Sequence, residues 1–309
     1  MYCQKFWKFR RNSLLNNENN VDSVFFYVYL KKVITVSPQS LCMVSVTDST
    51  NKAISFSVPP QRVVCLIPSI TETIFDLGLG DVLAGVSKFC IHPADGVRNK
   101  MKVGGQKDPD LEKIKAIDPD LIIMNREENK PEHIEFLSRY YKTWVTYPRS
   151  FRDAEKLLRE IGSVFDIKTE ACAYADKIKK TVDDMKTKAA KKIKALYLIW
   201  RNPWMSVNKD TFIHDALSIH GMENVFAENS ERYFEVMDKD IQSADPDIII
   251  LPDEPYRFRE KHITDFAHIP VSAVRNRRIF LADGTYFCWY GTRTARASEY
   301  IHKQILSHI

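Results

Sequence analysis

The sequence predicts an α/β protein made of two Rossmann-like lobes with parallel-sheet cores, joined by a single long backbone helix. Three observations predict it. One pattern occurs twice, 127 residues apart: Ile117-Asp118-Pro119-Asp120-Leu121-Ile122-Ile123-Met124 and Ala244-Asp245-Pro246-Asp247-Ile248-Ile249-Ile250-Leu251. An apolar run opens each half, Arg62 to Pro68 and Lys194 to Trp200. Between the halves lies a long stretch with an apolar residue every three or four positions.

In each copy of the repeat an amphipathic stretch runs into Asp-Pro, and a short apolar run follows. Proline disfavours the α region for the residue before it, so a helix must stop at Asp118 and at Asp245. An apolar run of four, rich in Ile, then reads as a strand buried on both faces. Helix followed by buried strand is half of a parallel α/β unit, and two copies predict two lobes of one plan.

The remaining elements follow in chain order. After the first apolar run, Ser69 is placed to accept backbone N–H bonds at a helix start, with Ile70, Ile74, Phe75 and Leu77 as its apolar stripe. Gly78-Leu79-Gly80 ends that helix, and Leu83 to Ser87 reads as the next strand. From Lys168 to Lys192, Ala171, Tyr174, Ile178, Val182, Met185 and Ala189 mark one face of a helix roughly 36 Å long at 1.5 Å per residue. Such a rod would brace the lobes, where a Gly/Ser tether would let them swing. The alternative is a helix inside one larger domain. The expected division is an extension over 1–42, an N-terminal lobe over 43–165, the linking helix over 166–193 and a C-terminal lobe over 194–309.

Composition narrows the function classes. The chain of 309 residues carries a net charge of +5, but residues 1–42 hold six Lys/Arg against two Asp/Glu, which leaves +1 for the rest. A near-neutral globular part with no basic motif argues against nucleic acid as a partner. The apolar run Val24 to Leu30 is too short to span a bilayer, and no small-x-small cleavage site follows it. Residues 1–42 therefore read as disordered or non-native, with Met43 as the biological start. This leaves a cytoplasmic location open. Six cysteines without C-x-x-C and scattered histidines without H-E-x-x-H predict no disulfide framework and no metal site. Gly78-x-Gly80-x4-Gly85 departs from a dinucleotide fingerprint in spacing and follows a helix, where such a site needs a strand. With no P-loop, no G-x-S-x-G and no partnered nucleophile, an enzyme is not expected, nor a catalytic cofactor.

Ligands of doubly wound sheets bind beyond the carboxyl ends of the strands, so the segments that follow the apolar runs are the candidates. They are Pro68-Ser69, the Phe89-Cys90-Ile91-His92 loop, Asn125 to Asn129, Trp200 to Trp204 and Asp283 to Gly291, with Asp253-Glu254-Pro255-Tyr256 after the repeated strand. Trp200, Trp204, Trp289, Tyr286 and Tyr290 fall on these loops. Exposed aromatics there are costly unless something covers them, and a large flat ligand is one such cover. Packing beneath the loops as a satellite core is the other. Arg126, Glu127 and Glu128 are placed to reach polar groups on a ligand's edge, or to form a solvated charged loop.

Taken together, Arg62 to Glu72, then Val103-Gly104-Gly105 leading to Asp110-Leu111-Glu112-Lys113-Ile114, then the Asp-Pro-Asp strand, resemble the Fe/B12-type substrate-binding proteins of ABC importers. These are the helical-backbone, class III proteins, and the cobalamin-binding branch is the closest match. The resemblance covers Val44 to the C-terminus. It implies a corrinoid held between the lobes of a monomer, with Ser69, Phe89, Cys90, His92, Arg126 and Glu127 on one side. On the other side it implies Trp200, Arg201, Trp204, Phe287, Trp289 and Tyr290. In the family one acidic residue per lobe docks onto arginines of the membrane permease. Glu112 falls on the first such position; Lys239, flanked by Asp238 and Asp240, falls on the second. The same fold carries ferric siderophores and haem, and a cytosolic corrinoid carrier or enzyme without a transporter is the further alternative.

Overall fold

The computed structural model describes residues 43–186 and 193–309, and Val44–Ile309 forms one compact unit. The expectations for residues 1–42, and for the linking helix at Ala189 and onward to 192, lie outside the described residues. The chain begins with an antiparallel hairpin, β1 (Val44–Thr47) and β2 (Ala53–Phe56). Then β3 (Val63–Cys65) leads into α1 (Pro68–Asp76). Here the helix start differs from the expected one: Pro68 is the first helical residue after Ile67, and Ser69 makes no capping bond. Proline suits that position because its missing N–H would have no partner there anyway.

The first half continues with β4 (Leu83–Val86), α2 (Ala94–Arg98), β5 (Met101–Lys102), α3 (Leu111–Ile117), β6 (Leu121–Asn125), α4 (Pro131–Tyr140) and β7 (Thr143–Thr146). Its sheet is wholly parallel, in the order β5-β4-β3-β6-β7. Two helices follow, α5 (Phe151–Val164) and α6 (Lys168–Lys186). They pack closely, since a Cβ at Gly162 would stand 2.6 Å from the Ala171 Cβ. The long helix is thus one member of a helical hairpin: α5 reaches β1, while α6 also contacts helices of the second half.

The second half contains β8 (Ile193–Tyr197), β9 (Trp204–Val207), α7 (Phe212–Ile219), β10 (Met222–Asn224), β11 (Tyr233–Val236), α8 (Asp238–Ala244) and β12 (Ile248–Pro252). It ends with α9 (Ser272–Arg275), β13 (Ile279–Ala282), α10 (Thr285–Cys288) and α11 (Thr294–Gln304). Its parallel sheet has the order β10-β8-β12-β13, and β9 pairs with β11 in a separate antiparallel ribbon. Because side chains alternate along a strand, Ala195, Tyr197, Ile248 and Ile250 enter the large core shared with the first half and with α5 and α6. Leu196, Leu198, Ile249 and Leu251 face a second core against Phe234, Phe258 and Phe266.

Both copies of the repeat do the same mechanical work. Asp118 (φ 49°) and Asp245 (φ 42°) end α3 and α8 in the left-handed region, where Asp is better tolerated than most residues. Two residues on, the Asp120 carboxylate accepts the backbone N–H groups of Gln61 and Arg62, at 2.7 and 3.0 Å. The Asp247 carboxylate accepts the N–H of Lys194 at 2.9 Å. Each second aspartate therefore fixes the start of the neighbouring strand, β3 or β8, against the strand it precedes. Replacing Asp120 or Asp247 by Ala is expected to lower the unfolding free energy by about 1–2 kcal/mol in urea titrations, with Asn costing less because its carbonyl oxygen still accepts. Lying on separate sheets, the two losses are expected to add.

Candidate functional site

Residues that follow the strands of both sheets meet around one cavity of about 420 Å³. From the first half come Ser69 after β3, Asn125 at the end of β6 with Glu127 and Glu128 beyond it, and Gln106 and Lys107. From the second half come Ile199 after β8, Arg232 and Tyr233 at β11, Glu254 and Pro255 after β12, and Cys288, Trp289 and Tyr290 after α10. Thr211 caps α7, whose first residues Phe212 and Ile213 add an apolar wall. Ligands of open α/β sheets bind at this place, beyond the carboxyl ends of the strands.

Asn125 shapes the acidic loop. Its side-chain oxygen accepts the N–H groups of Glu127 (2.7 Å) and Glu128 (3.2 Å), which turns the chain at the end of β6 and directs both carboxylates inward. Its amide nitrogen donates across the cleft to the Tyr290 hydroxyl at 2.8 Å. That hydroxyl donates to Glu128 Oε1 at 3.1 Å, and Gln106 Nε2 donates to Glu128 Oε2 at 3.1 Å. Glu127 is bound from the other half, by the Tyr233 hydroxyl at 2.6 Å and the Arg232 guanidinium at 3.0 Å. Glu254 accepts the indole N–H of Trp289 at 3.3 Å.

Burial dominates the ionisation of these groups. It pushes the Glu128 carboxyl up to about 7, against the bonds from Gln106 and Tyr290 and helped by the charges of Glu254 and Glu127. Burial also raises Glu254, the Cys288 thiol and the Tyr290 phenol.

Beside the cavity a polar seam joins α1 to the segment 291–296. Arg293 is gripped by both oxygens of Glu72, at 2.8 and 2.5 Å, with both side chains about nine-tenths buried. Arg293 also donates to Thr285 Oγ1 (2.7 Å) and lies 5.0 Å from the Trp289 ring centre. Asp76 accepts from Thr292 Oγ1 (2.6 Å) and Arg296 (2.8 Å). Gly291 (φ 105°) lets the backbones meet: a Cβ there would stand 2.0 Å from Thr73 Oγ1.

Of the residues the sequence singled out, the cavity gathers Ser69, Glu127, Glu128, Trp289 and Tyr290. The others are placed elsewhere. Trp204 stacks on Phe266 at 4.8 Å in the second core, because β9 belongs to the ribbon on the sheet's other face. Arg201 pairs with Asp265 at 2.7 Å, and Phe287 is buried against Tyr197. Cys90 is buried between Thr71 and Ser87, each 3.2 Å from its sulfur. Arg126 lies over the Tyr147 ring. His92 meets Trp289 edge-on at 5.8 Å, behind the cavity wall. Phe89 and Trp200 are 51% and 41% exposed, so neither is packed away; Trp200 follows the wall residue Ile199 and leans on Tyr256. Among the described residues no group of three or more His, Cys, Asp or Glu side chains is placed to hold a metal ion.

Sequence reasoning left out Gln106, Arg232 and Tyr233, and named Asn125 and Glu254 only as members of strand-end segments. One signal was available for Glu254: extending the 127-residue register beyond the apolar runs pairs Glu127 with Glu254. Arg232 and Tyr233 had no such signal, since they arrive on a ribbon outside both repeats.

A family model described as periplasmic binding protein matches residues 63–286. The chain belongs to the periplasmic binding protein family. Among curated relatives of this family member is an uncharacterized ABC transporter substrate-binding lipoprotein, YvrC, of Bacillus subtilis, 23% identical over 85% of each chain. A vitamin B12-binding protein of Vibrio campbellii is 26% identical over 62% of this chain and 70% of its own. Among solved structures, the vitamin B12-binding protein BtuF of Vibrio cholerae superposes with a TM-score of 0.71 at 20% identity, covering 81% of this chain and 98% of its own. The haem-binding protein RhuT of Roseiflexus sp. RS-1 gives 0.68, also at 20%, over 80% and 98%. These likenesses show the two-lobed fold of such binding proteins. No helix among the described residues is long and apolar enough to cross a membrane.

Two outcomes follow from this geometry. Arg293→Ala leaves Glu72 buried with only the more distant Arg296, at 3.7 Å, as a partner and is expected to cost about 3 kcal/mol in urea unfolding, while Glu72→Met combined with Arg293→Met is expected to cost less. The raised Glu128 carboxyl binds its proton more tightly in the fold than in the unfolded chain, so stability is fullest below the ordinary value of 4.5 and declines as pH rises through about 7. His220, lowered to about 4 by burial, acts in the opposite sense on the acid side. Glu128→Gln is therefore compared with the parent protein at each pH, and the variant is expected to lose about 1–3 kcal/mol less between pH 5 and pH 8.

Proposed function

We propose that this periplasmic binding protein captures a corrinoid of the cobalamin type in the cleft between its lobes and passes it, chemically unchanged, to an ABC permease. The observation that carries this reading is the meeting of Trp289 and Tyr290 from one half with the Glu127-Glu128 loop from the other, around a single cavity at the strand ends. Rings supply flat apolar contact, and the polar groups supply acceptors for a ligand's edge. The vitamin B12-binding relatives support the choice of ligand.

A whole corrinoid is larger than the cavity, so the lobes part to admit it. Opening breaks the Asn125–Tyr290 bond and the bonds of Glu127 to Arg232 and Tyr233, and closure over the ligand restores the Arg232–Glu127 pair. Phe89 on one half and Trp200 with Tyr256 on the other are available to cover the exposed part of the ligand; Phe89 lies against Gly105, next to the wall residue Gln106, and Tyr256 follows the wall residue Pro255. Closure would then be modest, because α5 and α6 share one core with both sheets, and little ordering entropy is lost on binding.

Permease contact would use the first turns of α3 and α8, which carry exposed Glu112 and exposed Asp238 with Asp240. Lys239 stands where α3 has Glu112, so on the second lobe the acidic contact falls to its neighbours. Titration of the purified chain with cyanocobalamin is expected to quench tryptophan fluorescence at micromolar protein or below, with matching heat by calorimetry. Trp289→Ala is expected to weaken binding about tenfold, the worth of one stacked ring. Binding of haem with no response to cobalamin would replace the corrinoid by the other macrocycle.

A further inference from the structure

Glu128 and Glu254 enter the cavity from opposite halves, and among the described residues neither makes an ion pair. The cations nearby are engaged elsewhere. Arg232 is bound by Glu127 at 3.0 Å, Lys107 donates to the Glu127 backbone carbonyl, and Arg293, whose charge Glu254 feels, is held by Glu72. Their remaining partners are neutral donors: Gln106 and Tyr290 for Glu128, and the Trp289 indole for Glu254. A carboxylate has about four acceptor sites, so both groups keep unused lone pairs on the cavity side. Asp253 and Asp283 add negative potential behind Glu254 and Cys288.

We infer that Glu128 and Glu254 make the cleft selective for ligands whose edge carries uncharged N–H donors, carboxamides above all, and reject the same ring system when its edge carries carboxylates. The inference rests on the binding reading above and specifies the chemistry of its ligand. A carboxamide N–H satisfies a lone pair that would otherwise be buried without a donor. A ligand carboxylate at the same place meets like charge in a dry site, and leaves both the ligand and the protein without donors.

The test uses two pairs of probes that differ only in their edge groups: dicyanocobinamide against dicyanocobyrinic acid, and haem diamide against haem. Affinities for the full chain are measured by fluorescence and calorimetry at pH 7.5, alongside Glu128→Gln with Glu254→Gln, whose fold is checked by circular dichroism and thermal unfolding. The amide member of a binding pair is expected to be favoured by about 100-fold or more, the scale of a like-charge penalty in an interface. In the double variant that ratio is expected to fall at least about tenfold, mainly by gain of affinity for the acid. Equal affinity for amide and acid, or an unchanged ratio in a folded double variant, overturns the selection. Discrimination within the haem pair without any corrinoid binding overturns the corrinoid reading but sustains the selection. Binding of none of the four overturns both.

Discussion

The pairing of Glu72 with Arg293 is the contact on which the arrangement of this protein depends. It is bidentate, almost wholly buried, and made between the first helix of one half and the segment before the last long helix of the other. Two charges withdrawn from water in this way are costly unless each is fully satisfied. Here the guanidinium also donates to Thr285, stands 3.6 Å from Asp283 and lies beside the rings of Tyr286 and Trp289. The same residue that locks the halves together thereby holds an aromatic wall of the cavity in place.

A second feature gives the cleft its chemistry. Three glutamates reach one cavity of modest size, and the guanidinium that lines it neutralises one of them. The hydrogen bonds across the mouth, Asn125 to Tyr290 and Tyr233 to Glu127, hold the halves close while drawing on groups a ligand's edge would compete for. Through α5 and α6 the two sheets share one core.

Much of the architecture was legible from residues alone. The doubled Asp-Pro-Asp motif located α3, β6, α8 and β12, because proline restricts the residue before it and a four-residue apolar run is too short for anything but a buried strand. The site was legible only in part. Trp289 and Tyr290 lie on a strand-end segment and line the cavity, yet Trp204, which the sequence places on a similar segment, begins β9 and stacks in the second core. Local sequence does not distinguish the two, since the difference is which face of the sheet the following strand pairs on.

The sequence by itself determined the two-sheet plan, the strand ends beyond which open α/β sheets bind ligands, and the near-neutral charge of the globular part. These depend on local sterics and on hydrophobic periodicity, both of which act within a few residues. Only the tertiary structure decided that Glu128 and Glu254 share a cavity, that Arg232 is bound to Glu127 there, and that Gly291 brings the halves within contact. Each of these joins residues more than a hundred positions apart, or depends on the meeting of surfaces that no local pattern encodes.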